Sequence, residues 1–460
     1  MEPGTINEGH MDYDKIEIDD VTCFAGLNHG DCNSKNKIIP VRPIGYVVKA
    51  LPSDFKERCY AVNNDLLAHS DDYIKSGYLK LLGVLLYQFD EIVTTQNLLY
   101  KGIIKGAEAD KQVNEQYEYY LRTAAGAKYE DYAGFFDACR ANPLKYSFVL
   151  DAIILTCLQT EREAQFKLIT LFCRAMQLTE DEVTTLATMA EAIVKLDIFL
   201  FAEAYKIKTS SISDKVLLGY FNLIQTYYRN SENLTIVHPI ALSTSSQSII
   251  SKCNEASSVA FLNLSLNLTK ILNITTSDEK GLRGTLDFYN KNKVMFLACN
   301  ISGEKTAIRL NGCQEVRCYD SIFCNFKERV FYIKAVKNVL VEYCKFNECW
   351  QYTYRREYKS NISGGIFYWD NIEESKSLRI GLKNCVFKSC GTSAYNRYTG
   401  RFGISNIDCD VVNSIFYNCG SFKYRNKPYR TYAVDPSKPL FTPNTRISDN
   451  CKFQDCGNPK

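Results

Sequence analysis

The sequence predicts a multidomain α + β chain, an N-terminal α-helical bundle followed by a right-handed parallel β-helix (solenoid), on three observations. Apolar residues recur at three- and four-residue intervals between about residues 70 and 228. From residue 231 the composition shifts to Ser, Thr, Asn and Leu, and a Cys- and Phe-marked motif then repeats to the C-terminus. At 460 residues the chain also exceeds one ordinary hydrophobic core. It is therefore divided into an extension over 1–69, a helical bundle over 70–230 and a β-helix over 231–460, clearest from 290.

The extension carries β-favouring patches, Ile38-Ile-Pro-Val41 and Gly45-Tyr-Val-Val-Lys49, punctuated by Gly, Pro and Asn, which fits a small irregular β element. Cys23, His29 and Cys32, with Cys59 further on, are candidate zinc ligands, although the Cys-x2-Cys pairing of common zinc fingers is missing. Stacked apolar residues at Tyr78, Leu81, Leu82, Leu85, Leu86 and Phe89 then mark the first clear helix. Further amphipathic stretches follow at about 113–122, 130–140, 144–158, 161–176 and 180–205. Thr179 with Glu182 spells a capping box, in which hydroxyl and carboxylate satisfy the free amides of a helix start. Ser211 to Arg229 adds another helix.

This run of short helices, with an acidic loop at Glu108-Ala-Asp110 and the helix start Leu178-Thr-Glu-Asp-Glu182, resembles the TerB-like (tellurite-resistance) helical domain over about 75–195. The resemblance implies a bacterial stress or anti-phage context, a protein-docking role for the bundle and metal binding through acidic residues. It assigns no individual residue.

Beyond 231, Phe261-Leu-Asn-Leu-Ser-Leu-Asn-Leu268 alternates with a period of two, the mark of a half-buried strand. The repeat reads polar-(Cys/Ser)-x-Phe-x-x-Cys-(Gly/Trp). It occurs at Tyr343 to Trp350, Asn384 to Gly391, Asn413 to Gly420 and Asn450 to Gly457, with a degenerate copy at Asp320 to Phe326. The phenylalanines 323, 346, 387, 416 and 453 fit a coil of about 22 residues plus insertions of variable length. Cys and Phe two apart on a strand point the same way, and stacking coils about 4.8 Å apart buries them as a column. The cysteines are accordingly expected to be core thiols rather than disulfides or ligands. A second strand precedes each motif, as in Arg329-Val-Phe-Tyr-Ile333 and Gly364-Gly-Ile-Phe-Tyr368. The pattern resembles the right-handed parallel β-helix repeat proteins, a fold shared by polysaccharide lyases, hydrolases and phage tailspikes, so fold alone does not set function.

The net charge of +3 hides a segregation, since residues 320–460 hold 22 Lys and Arg against 13 Asp and Glu. Much of that excess sits in three insertions that all follow the Cys-Gly or Cys-Trp corner. Their binding candidates are Trp350, Tyr352, Tyr354, Arg355, Arg356, Tyr358 and Lys359; Tyr395, Arg397, Tyr398 and Arg401; and Lys423, Tyr424, Arg425, Lys427, Tyr429 and Arg430. Equivalent loops of a solenoid stack on one side, so these predict one basic, tyrosine-rich edge. Guanidinium groups grip phosphate by paired bonds and aromatic faces stack on bases, which suits single-stranded nucleic acid; a protein partner favours the same residue types.

Two other readings stand beside binding. Asp370 and Asp408 share a five-residue offset from Gly365 and Gly403, so they would fall on adjacent coils, as the paired carboxylates of a glycoside hydrolase or lyase would. Alternatively the chain is a purely structural subunit. Phosphate loops, Ser nucleophile elbows and the metalloprotease helix motif are absent, and no cofactor is expected. The acidic start, Met1 to Asp20, lacks the apolar core of a secretory signal, and Ala192 to Tyr205 is broken by charges, so the expectation is a cytoplasmic protein with no membrane span.

Overall fold

The computed structural model describes residues 62, 64–89, 91–107, 113–124, 127–159, 163–208, 212, single positions between 217 and 228, 233–238, 253, 255–269, 274–275, 285–352, 365–370, 378–393, 403–424, 432–434 and 436–459. The β-favouring patches of the extension, and Cys23, His29, Cys32 and Cys59, lie outside the described residues. Two units divide the chain, Met1–Ile224 and Gln225–Lys460.

The first unit is helical. Its central helix, Leu144–Cys157, is apolar on every side and buried at every position except Lys145, as expected of a helix surrounded by others. Asp72–Tyr87, Glu163–Ala175 and Glu180–Val194 pack against it. Phe148 on this helix meets the rings of Tyr78, Phe135 and Phe172 at 5.1, 5.8 and 5.4 Å. A helix that the periodicity had not marked, Thr94–Ala107, buries Leu99, Tyr100, Ile103 and Ile104. The expected stretch 180–205 is two helices, Glu180–Val194 and Ile198–Ile207. Leu196 enters the left-handed region at φ 49°, and Asp197 then caps the second helix by accepting the amides of Phe199 and Leu200. Apolar residues continue across that break, which is why the period alone conceals it.

The second unit is a parallel β-helix. An eight-stranded sheet runs from Leu234–Val237 to Arg446–Ile447, and a seven-stranded sheet from Ser265–Asn267 to Lys452–Gln454. A five-stranded sheet holds Ile274–Thr275, Leu286–Tyr289, Ile308–Asn311, Phe331–Lys334 and Phe367–Trp369; these three sheets are parallel throughout. A four-stranded sheet holds Trp350–Tyr352, Gly391–Ser393, Gly420–Tyr424 and Tyr432–Val434, the last pairing antiparallel. One coil visits all four: Phe331–Lys334, Asn338–Glu342, Lys345–Asn347 and Trp350–Tyr352, before the next coil begins at Phe367.

Each position of the repeat motif has a structural task. The first is a corner in the left-handed region, occupied by Asp320, Tyr343, Asn384 and Asn413 at φ 45–56°. Asn and Asp tolerate that conformation because their short side chains bond locally. The Cys or Ser that follows turns inward, and so does the phenylalanine two residues on. Phe323, Phe346, Phe387, Phe416 and Phe453 lie in register with successive centroids 5.1, 4.7, 4.7 and 4.9 Å apart. A second left-handed corner follows at Asn325, Glu348, Ser389, Asn418 and Asp455. The next cysteine turns inward again and donates its S–H to the previous coil's phenylalanine carbonyl, Cys390 to Phe346 at 3.4 Å and Cys419 to Phe387 at 3.4 Å. All sixteen described cysteines are free, thirteen of them buried.

The stack begins before the motif becomes legible. Ser258–Leu262 and Ser265–Asn267 join the same two sheets, with Leu264 and Leu266 where later coils carry Cys and Phe. The alternation in 261–268 therefore spans two strands bent at Asn263, φ 54°, rather than one.

Candidate ligand-binding surface

The insertions are anchored in register. Trp350, Gly391 and Gly420 pair across neighbouring strands of the four-stranded sheet, and the first two of these strands end at Tyr352 and Ser393. Further along, Phe367 of the five-stranded sheet forms an isolated parallel bridge with Ser405. The feet of these loops are pinched together. A Cβ on Gly391 would lie 1.8 Å from the Gly420 carbonyl oxygen, and one on Gly365 2.9 Å from the Gly391 backbone, so only glycine allows the coils to close here. The third insertion, 425–431, joins Gly420–Tyr424 to Tyr432–Val434, which pair as a hairpin.

Of the sequence-predicted binding residues, Trp350, Tyr352, Lys423 and Tyr424 lie on strands of the four-stranded sheet. Tyr354, Arg355, Arg356, Tyr358, Lys359, Tyr395, Arg397, Tyr398, Arg401, Arg425, Lys427, Tyr429 and Arg430 lie outside the described residues.

The five-stranded sheet carries a guanidinium–tyrosine ladder that the sequence reading missed. Inward positions of its strands are apolar: Leu286, Ile308, Phe331 and Phe367 form one column. The alternate residues stand in register on the opposite face: Asp287, which is buried, then Arg309, Tyr332 and Tyr368. Arg309 Nε lies 3.8 Å from the Asp287 carboxylate, and its Cζ lies 5.5 Å from the centre of the Tyr332 ring. Arg329, one turn ahead of its strand, lies over the same ring at 5.5 Å and over Tyr368 at 4.0 Å. Its Nε is buried and meets no hydrogen-bond acceptor among the described residues. Burial pulls Arg329 below the ordinary guanidinium value, while Tyr368 and Glu328 oppose that pull. The signal was present in the sequence, since Phe331-Tyr332 and Phe367-Tyr368 are like pairs on like strands, but Arg309 and Arg329 join them only through register.

Asp370 follows Tyr368 and accepts the Tyr332 hydroxyl. Burial and this bond push the Tyr332 hydroxyl well above the ordinary phenol value. Asp408 opens a strand of the eight-stranded sheet, accepts Thr442 Oγ1 at 2.6 Å and stands 4.0 Å from Arg379. Register does not set 370 beside 408: Asp408 stands opposite Arg379 of the neighbouring coil, Asp370 lies just past Phe367–Trp369, and each carboxylate is engaged by its own network. Asp410 joins the second network, 3.1 Å from Arg379.

Among the described residues no cluster of three His, Cys, Asp or Glu side chains is arranged to hold a metal, and no helix is long and apolar enough to cross a membrane. Comparison with family models, with curated proteins and with solved structures finds no match to the chain.

Proposed function

We propose that this chain is a non-catalytic recognition protein whose β-helix binds single-stranded nucleic acid along the side where the insertions emerge. Support comes chiefly from the registered anchoring of Tyr- and Arg-rich segments on neighbouring strands, which gives them a common side of the solenoid. The excess of Lys and Arg over 320–460 supplies the long-range attraction that a phosphate chain requires. Tyrosine rings offer faces on which any base can stack, so recognition would tolerate many sequences. The separate engagement of Asp370 and Asp408 favours recognition over glycan cleavage. The helical unit serves in this scheme as a protein-docking module; a bacterial stress or anti-phage role follows only from the resemblance of its sequence to the TerB-like domain.

The test is anisotropy of labelled oligo(dT) and oligo(U) with the full chain at about 50 and 200 mM salt. Binding should weaken steeply with salt, and the combined Arg355→Glu, Arg397→Glu and Arg425→Glu variant should bind at least about tenfold more weakly. Equal binding by wild type and variant, or no binding by wild type, would overturn the proposal.

A further inference from the structure

Resting on the nucleic-acid reading above, we infer that Arg329 is a fixed phosphodiester seat of this surface, held in place against the Tyr332 and Tyr368 rings. A guanidinium recognises an oxyanion through its planar N–H edge, and stacking occupies only its faces. Arg329 Cζ lies 4.0 Å from the centre of Tyr368 and 5.5 Å from that of Tyr332, so the position of the guanidinium is set before any ligand arrives. An arginine so held loses less freedom on binding than one on an open loop.

The carboxylates nearby have other partners. Asp287 pairs with Arg309, Asp370 accepts the Tyr332 hydroxyl, and Glu328 accepts Thr306 Oγ1 at 3.1 Å. Arg329 Nε, by contrast, is a buried donor with no acceptor among the described residues. Nε itself is out of a ligand's reach, so the oxyanion is taken by the outer N–H groups of the guanidinium. The rings of Tyr332 and Tyr368 are committed to the guanidinium, so the seat takes phosphate rather than a base. Arg309, against the same Tyr332 ring, adds a second positive charge beside it.

Salt titrations of oligo(dT) binding with the full chain test this. Arg329→Gln should weaken binding about tenfold and lower the salt slope by about 0.7, the loss of one phosphate contact on a single strand. Arg329→Lys, which keeps the charge but loses the fork, should keep the slope and bind about fivefold more weakly. An abasic oligonucleotide should show the same dependence on residue 329, because the seat reads the backbone. Unchanged affinity and slope in a folded Arg329→Gln protein would overturn the inference while leaving the insertion-based proposal standing. If Arg329→Gln fails to fold, wild-type affinity in Arg329→Lys overturns it instead. Preference for a sulfated glycan over every oligonucleotide, lost in the Arg329 variants, would also overturn it, by reassigning the seat to sulfate. Failure of wild type to bind any oligonucleotide removes both proposals together.

Discussion

Burial of the Asp151 carboxyl between two tyrosine hydroxyls makes it the strongest source of pH dependence visible in the helical unit. Tyr78 donates to one oxygen at 2.6 Å and Tyr220 to the other at 2.7 Å. Burial pushes the Asp151 pKa up to about 7, and the two hydrogen bonds pull against it. Below about pH 4 the carboxyl is neutral whether the chain is folded or not. As pH rises towards 7 the unfolded chain ionises first, so the folded state loses stability, by roughly 4 kcal/mol once both states are charged. Asp151→Asn removes the titration. Its melting temperature relative to wild type should therefore rise between about pH 4 and 7 and level off above; parallel pH profiles would refute this account. The capping box is the opposite case, a carboxyl whose partners favour its charge. Partial burial raises the pKa of Glu182, but the Thr179 amide at 2.8 Å and the Tyr146 hydroxyl at 2.7 Å outweigh that and lower it. Thr179 and Glu182 were legible as a motif four residues long. Tyr146, from a helix 36 residues away, was not, because only packing brings it there.

Within each strand of the solenoid, the same residue type has different duties on different columns. Cys385 lies in a corner column that also holds Ser321, Cys344 and Ser414, so hydroxyls and thiols share it. Its thiol donates to the Val341 carbonyl at 3.4 Å, while its amide donates to Ser414 Oγ at 3.1 Å. A hydroxyl is at home in this column, because each corner leaves a carbonyl of the previous coil within its reach. Cys318 instead lies mid-strand in the eight-stranded sheet, between Phe296 and Val341 of adjacent coils. Both cysteines are fully buried, so exposure does not separate them. Cys385→Ser is expected to cost less than about 1 kcal/mol, and Cys318→Ser about 1–3 kcal/mol for a hydroxyl set among apolar side chains. Urea midpoints of the two variants decide the matter, and equal losses would show that the columns are chemically equivalent. The sequence motif identified these cysteines as inward-facing but could not rank them. It reports the period of a coil, not which sheet a position joins.

Across the whole chain, what could be read from sequence was whatever repeats locally. The Cys and Phe landmarks fixed the coil, and the helical period fixed most of the bundle. The four-stranded sheet stayed hidden because its strands at Trp350–Tyr352 and Gly391–Ser393 are three residues long, too short to show alternation. Corners at Ala298, Ala335 and Tyr343 carry φ of 50–56° without an Asn, Asp or Gly to announce them. The guanidinium–tyrosine ladder was hidden for a related reason, since Arg309 and Tyr368 are separated by insertions whose lengths the sequence does not relate to register. The cysteines offer a measurement on the same global scale. Nineteen are present, and thirteen are buried thiols of the described residues. Burial pushes Cys173 and Cys385, for example, up to about 12, leaving almost no thiolate at neutral pH, and the thiolate is the reactive form. A thiol-reactive dye should therefore reach at most six cysteines rapidly in the native protein, the half-exposed Cys451 among them. Without reductant, at least the sixteen described cysteines should react in guanidinium chloride, since none of them is bonded to another. A lower count in denaturant would reveal disulfides and undo the reading of the columns as packed thiols. Rapid native reaction of more than six would mean that the coils open readily, as a solenoid stabilised only by contacts between neighbouring coils does when one interface is weak.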